Sequence, residues 1–165
     1  MRALFNWRGH DILALAARLY LAAIFLLACW HKILEPAAFA LDIATYQILP
    51  LVLVNPLAIV LPWVELAVGL MLLLGFRTRA AALLLAGMMV MFTVAISIAV
   101  AKGLDMSCGC FASQGSAEDP ISWRTILRDL SWLLLAAYVF IFDRRPLGLD
   151  RLFGRRKNAA APEPL

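Results

Sequence analysis

The residues of this chain best suited to chemistry are its cysteines, three in all, two of which stand in the triplet Cys108-Gly109-Cys110. A disulfide between residues two apart closes a very small ring, in which the usual Cα separation and S–S dihedral are hard to satisfy. Strained disulfides are the labile, exchanging ones, and Gly109 supplies a residue without a Cβ where the backbone must be tight. Downstream, Asp119-Pro120 reads as a helix start, with Asp as N-cap and Pro at the first helical position. Arg124 and Arg128 follow in the first turns. Helix N-termini and nearby arginines favour thiolate, while Asp105, Glu118 and Asp119 oppose it. The pattern fits thiol–disulfide exchange; the alternative reading is a static small disulfide or two idle thiols.

Cys29 is the third thiol. Arg18, Ala22, Phe25, Cys29 and Lys32 recur at steps of three and four, so on a helix they form one stripe. A stripe carrying Arg, Cys and Lys should face the interior of a bundle. Near the outer end of its helix, Cys29 can exchange with the loop pair, or it can be a buried small hydrophobe. Cys29, His31, Cys108 and Cys110 also amount to four soft ligands at one face. The Cys29-Trp30-His31 spacing at a helix end makes joint ligation awkward, and no metal is expected.

Charges in apolar segments are the next candidates, because a charge at mid-membrane costs about 2.5 kcal/mol or more on insertion scales. Glu65 lies between Pro62 and Gly69, and small residues on that face permit close helix approach. The expected partner of Glu65 is Arg18, in a pair that either fixes helix packing or lines a polar cavity for a quinone or a proton. Arg128 and Asp129 are placed nearer the outer face, pairing with neighbours or water. Thr93 and Ser97 either bond across the interior or back to their own helix.

The elements that must position these residues follow from composition. The chain has 165 residues, 64% hydrophobic and only 16% charged. Soluble domains carry about 25% charged residues, and a chain this small cannot hide such an apolar excess in one core. The net charge of +4 sits mostly in tails and one short loop, away from aromatics, which speaks against nucleic-acid binding. Spanning helices need about 20 mostly apolar residues. Four segments qualify, at about 12–33, 56–75, 80–101 and 123–142. The expected fold is therefore an all-α membrane protein, a four-transmembrane-helix bundle over residues 1–145, followed by a basic, disordered tail at 146–165.

The stretch from Glu35 to Asn55 is apolar but broken by Asp42, Gln47, Pro50 and Asn55. It reads as an amphipathic or re-entrant segment, with a fifth span as the alternative. Arg2, Arg8, Arg77, Arg79 and the tail arginines fall on one side of a four-span chain. The positive-inside rule then makes both termini cytoplasmic and faces the loop from Lys102 to Trp123 to the periplasm of a bacterial inner membrane, where disulfides persist. Leu26-Leu27-Ala28-Cys29 looks like a lipoprotein cleavage box, but Arg18 interrupts the run before it, and cleavage is not expected.

With these residues placed, the chain resembles the MauE/DoxX family of small bacterial membrane proteins. Arg18 followed by His31-Lys32 is similar to that family's first helix. Pro62-Trp63-Val64-Glu65-Leu66-Ala67-Val68-Gly69, then Leu74-Gly75-Phe76-Arg77-Thr78-Arg79, is similar to its second helix and basic turn. Cys108-Gly109-Cys110-Phe111, Ile121-Ser122-Trp123 and Arg128-Asp129 resemble the MauE branch. Where the family pattern has Gly after that Phe, this chain has Ala112, which alters the turn but leaves both thiols. The resemblance implies a four-helix membrane protein tied to thiol redox, and in the MauE branch a role in helping a periplasmic methylamine dehydrogenase subunit acquire its disulfides.

Three functional expectations follow. The first is a thiol–disulfide oxidoreductase in which Cys108 and Cys110 exchange with a periplasmic client and electrons pass inward through Cys29 to quinone, with Arg18, Lys32, Glu65, Arg128 and Asp129 in support. The second is a non-catalytic assembly or scaffold subunit. The third is a small transporter built on Glu65 and Arg18, although transporters often show internal repeats and none is evident between the halves of this chain.

Overall fold

A computed structural model describes residues 9–104, 106 and 121–143 of the chain. Among these, every regular element is helical. They are α1 (Gly9–Leu34), α2 (Pro36–Thr45), α3 (Leu51–Leu74), α4 (Thr78–Ala101) and α5 (Trp123–Phe142). The four long helices are long and apolar enough to cross a membrane. The tail at 146–165 and the Cys108-Gly109-Cys110 motif lie outside the described residues.

The helices form a ring in which α1 packs on α3, α3 on α4, α4 on α5 and α5 back on α1. Ala22, Phe25, Val68, Leu72, Leu85, Met89, Trp132 and Ala136 belong to one core cluster at its centre. The outer face stays apolar: Leu27, Trp30, Leu51, Val52, Leu83 and Leu134 are all exposed. In water such a surface would associate; in lipid it meets a solvent as apolar as itself.

Gly69 sets the closest approach. A Cβ built there would lie 3.0 Å from the Leu26 side chain, so α1 and α3 touch through a residue that has none. The α3–α4 turn is tight for an identifiable reason. Gly75 adopts φ 66°, and the Phe76 N–H donates to the Met71 carbonyl at 2.9 Å, the pattern of a left-handed glycine stop. Arg77 follows at φ 44°, an uncommon conformation for a residue with a Cβ.

The segment between the first two spans is itself helical. Pro36 occupies the first turn of α2, where its missing N–H costs nothing. Phe39 is the buried residue of this short apolar helix, and Leu41 is exposed. It leads from the interior, where Phe39 faces Lys32, toward the end of α4, where Lys102 Nζ donates to the Gln47 carbonyl at 3.2 Å. Helix α2 thus follows α1 directly and packs along α3.

One span boundary and one helix cap differ from the sequence reading. The second span begins at Leu51 rather than Pro56, because Pro50 serves as its N-cap and both Pro56 and Pro62 lie inside the helix. Membrane helices tolerate interior prolines where neighbouring groups re-satisfy the freed carbonyls. The last span is capped by Ser122 rather than Asp119. The Ser122 N–H donates to Thr125 Oγ1 at 3.2 Å, and the Ile121 N–H is drawn to the Met106 carbonyl at 3.0 Å, so residues 121 and 122 are outside the helix.

Candidate functional site

The interior stripe on α1 forms as its spacing predicts: Arg18, Ala22, Phe25, Cys29 and Lys32 are all buried. The pairing of its charges differs from expectation. Glu65 is bound by Lys32, whose Nζ donates to Oε1 at 2.9 Å and to Oε2 at 3.0 Å, with both side chains at most 3% exposed. Arg18 pairs instead with Asp143, at 3.2 Å. The expected Arg18–Glu65 pair is ruled out by register. Helices α1 and α3 run antiparallel with Lys32 level with Glu65, and Arg18 lies fourteen residues back along α1, about 21 Å away at 1.5 Å per residue. No side chain covers that distance. The sequence reading treated Lys32 as the outer edge of a span, whereas α2 packs against α3 beyond it and Lys32 is buried.

The Lys32–Glu65 pair sits near the middle of the bundle. Glu65 is about 21 Å along α3 from Leu51 and about 14 Å from Leu74. Two aromatic rings wall the ammonium: Phe39 of α2, with its centroid 4.9 Å from Nζ, and Phe92 of α4, at 5.5 Å. Each places a ring face over the cation. Neither ring figured in the sequence reading, since an apolar aromatic in a span carries no sign that it faces a charge.

Cys29 lies one turn before Lys32 on the same face, is 1% exposed, and donates its thiol to the Leu26 carbonyl at 3.3 Å. It stands in the electrostatic field of both Lys32 and Glu65. It is therefore an interior thiol and not one at the mouth of the bundle. His31 follows in the same turn, with a buried Nε2 that has no hydrogen-bond partner. Among the described residues no group of three or more His, Cys, Asp or Glu could hold a metal.

The second ion pair, Arg18–Asp143, closes the opposite end of the bundle. Asp143 was missed from sequence because it lies just past the last span, ahead of the basic run Arg144-Arg145. Nearby, His10 bonds the Tyr138 hydroxyl at 2.8 Å and stacks on Phe142 at 4.4 Å. Between the two ion pairs α1 contributes Leu21, Ala22 and Phe25, and α3 contributes Val68 and Leu72, all in the apolar core. Thr93 and Ser97 do not bridge that gap, because they donate back to the carbonyls of Met89 and Thr93 at 2.7 and 2.6 Å.

At the α4–α5 end, Asp129 is 1% exposed and Arg128 reaches its Oδ1 at 3.5 Å while lying over the Trp132 ring at 5.0 Å. Met106 is buried, and its carbonyl holds Ile121. The chain on either side of the segment 107–120 is thereby tied together at this end, and Cys108 follows Met106 by two residues.

The family model for the methylamine utilisation protein MauE matches residues 10–142. The chain is 32% identical over 122 residues to the methylamine utilization protein MauE of Paracoccus denitrificans, covering 73% of this chain and 64% of that protein. It is 31% identical over 127 residues to the protein of that name from Methylophilus methylotrophus, covering 76% and 66%. With the counterpart from Methylorubrum extorquens it shares 32% over 131 residues, covering 79% and 69%. The chain thus spans about two thirds of the length of these relatives. No solved structure matches it.

Proposed function

The chain belongs to the family of the methylamine utilisation protein MauE, and from that premise we propose that it is a membrane-embedded thiol–disulfide redox protein. Cys108 and Cys110 are its exchanging thiols, and its client is a protein of methylamine utilisation whose disulfides it forms on the periplasmic side of the inner membrane. The oxidised pair accepts two electrons and two protons from a client dithiol. The client gains an S–S bond, and Cys108 and Cys110 become thiols. Quinone in the membrane then takes the electrons and restores the pair.

The observation that carries this reading is the Cys-Gly-Cys triplet, which begins two residues after Met106 in the sequence; Met106 is buried and its carbonyl accepts from the Ile121 N–H at 3.0 Å. A disulfide between residues two apart is strained and exchanges readily, and the described residues on either side, Met106 and Ile121, are bonded to each other. The short-range basic flanks support the orientation, since the α3–α4 turn carries Arg77 and Arg79 and such residues favour the cytoplasmic side. The test is the double variant Cys108→Ser/Cys110→Ser. Client protein should accumulate with free thiols in cells carrying it, and full client oxidation in those cells would sink the proposal.

One observation bears on the transporter alternative. Glu65 and Arg18, on which that alternative is built, belong to two different ion pairs, with Leu21, Ala22, Phe25, Val68 and Leu72 of the apolar core between them.

A further inference from the structure

We propose that Lys32, Glu65, Phe39 and Phe92 form the seat of a quinone ring, the lipid-soluble acceptor that reoxidises the thiols. This inference rests on the thiol–disulfide reading above and names the site where that reading ends its electron path. An ammonium has three N–H donors. Two of those of Lys32 go to Glu65, and the third has no hydrogen-bond acceptor among the described residues although the side chain is 3% exposed. It lies against the faces of two aromatic rings. A quinone supplies both missing features: a carbonyl oxygen to accept the third N–H, and a flat ring to stack on Phe39 or Phe92. In the same turn, the buried Nε2 of His31 is a second polar atom without a partner.

Energetics point the same way. A buried ion pair is often no more stabilising than apolar residues of the same volume, and each charge at this depth costs about 2.5 kcal/mol or more to insert. Packing alone gives no reason for Lys and Glu at mid-bundle; a ligand that needs a donor there does. Depth is also suitable, since a quinone dissolved in the hydrocarbon approaches at this level. Trp30 and Trp63, two residues from Lys32 and Glu65, are 69% and 56% exposed on the outer faces of α1 and α3. Phe39 is borne on α2, whose flanks are the non-helical Glu35 and the left-handed Gln47 at φ 52°. Displacement of this ten-residue helix opens the ammonium to the ring.

The chemistry balances. Two thiols lose two electrons and two protons and form one S–S bond, and the quinone gains both to become a hydroquinone with two new O–H bonds. Lys32 holds the carbonyl oxygen on which negative charge develops, and the Glu65 carboxylate, held by the same ammonium, takes up a proton released by the thiols and passes it to the reduced quinone oxygen. Cys29, one turn away, is the described thiol placed beside this seat.

The experiment uses the full-length protein in lipid nanodiscs, photolabelled with a short-chain azido-benzoquinone and mapped by mass spectrometry. Saturable label should fall on the peptides carrying Phe39 or Phe92 and be displaced by decylubiquinone. The variant Lys32→Met/Glu65→Gln, which leaves no lone charge, should lower that labelling about tenfold or more, the loss expected for one charge-assisted hydrogen bond. Label confined to other peptides of the unsubstituted protein overturns the seat, as does undiminished label in a folded double variant. If the variant does not fold, the map on the unsubstituted protein decides. A chain that takes the label at this seat, but whose oxidised Cys108–Cys110 pair forms no mixed disulfide with an added reduced client dithiol in quinone-free nanodiscs, counts against the thiol-exchange reading and leaves the seat standing.

Discussion

Removing either member of the Lys32–Glu65 pair should destabilise the bundle far more than removing both. Lys32 Nζ lies 2.9 and 3.0 Å from the two carboxylate oxygens, and the side chains are 3% and 2% exposed. Lys32→Met leaves a carboxylate with no counter-charge in the bundle interior; Glu65→Gln leaves an ammonium in the same position. Breaking a buried pair this way costs about 3–5 kcal/mol, whereas replacing both partners by uncharged groups is often near neutral. The double variant Lys32→Met/Glu65→Gln should therefore recover most of the loss, giving a coupling energy of about 2–4 kcal/mol. The assay is reversible unfolding of the purified protein from lipid-detergent micelles by added denaturing detergent, followed by helical circular dichroism. The reasoning fails if each single variant costs under about 1 kcal/mol, or if the two losses simply add.

Other expectations follow from the same packing. Gly69→Leu should cost about 1–3 kcal/mol by overpacking, because even a Cβ meets Leu26 at 3.0 Å, and Leu26→Ala in the same chain should restore part of it in the same unfolding assay. Asp143→Asn should destabilise by about 3 kcal/mol or more, since Arg18 is 2% exposed and pairs with that carboxylate; the swapped variant Arg18→Asp/Asp143→Arg should be more stable than either single change. Gln47→Gly should raise stability by about 0.5–1 kcal/mol, because φ 52° strains a residue with a Cβ and the contact to Lys102 uses only the backbone carbonyl. Cys29, at 1% exposure, should resist a membrane-impermeant maleimide in intact nanodiscs and react once the protein is unfolded; rapid labelling of the native protein would contradict its placement.

Most of the fold is legible in the sequence because lipid makes strict demands. Helices α4 and α5 lie within two residues of their expected starts, since mostly apolar runs of the right length admit one reading. The α1 stripe is equally legible, because period and burial coincide at Arg18, Cys29 and Lys32. The second span begins five residues before Pro56 because a proline there loses only one helical bond, a penalty the neighbouring helices absorb. The partners of the buried charges are not legible in the same way. Choosing between Arg18 and Lys32 for Glu65 needs the register of α1 on α3, where Gly69 meets Leu26 and α2 packs beyond Lys32. Asp143 and the two phenylalanines carry no local signal of their roles, since each acts through a residue more than fifty positions away or on another helix. The Cys-Gly-Cys motif remains readable from sequence alone, because its chemistry lies in adjacent residues.

The most direct test of the account is to trap the exchange itself. The full-length chain carrying Cys110→Ser, expressed in the inner membrane of a methylamine-grown host, is quenched in acid, alkylated and resolved without reductant. The account predicts a reductant-sensitive adduct linking Cys108 to a periplasmic protein of methylamine utilisation, identified by mass spectrometry and absent when Cys108 is also replaced by Ser. A Cys108 thiol recovered fully alkylated and unlinked, in cells whose client is fully oxidised, would contradict it.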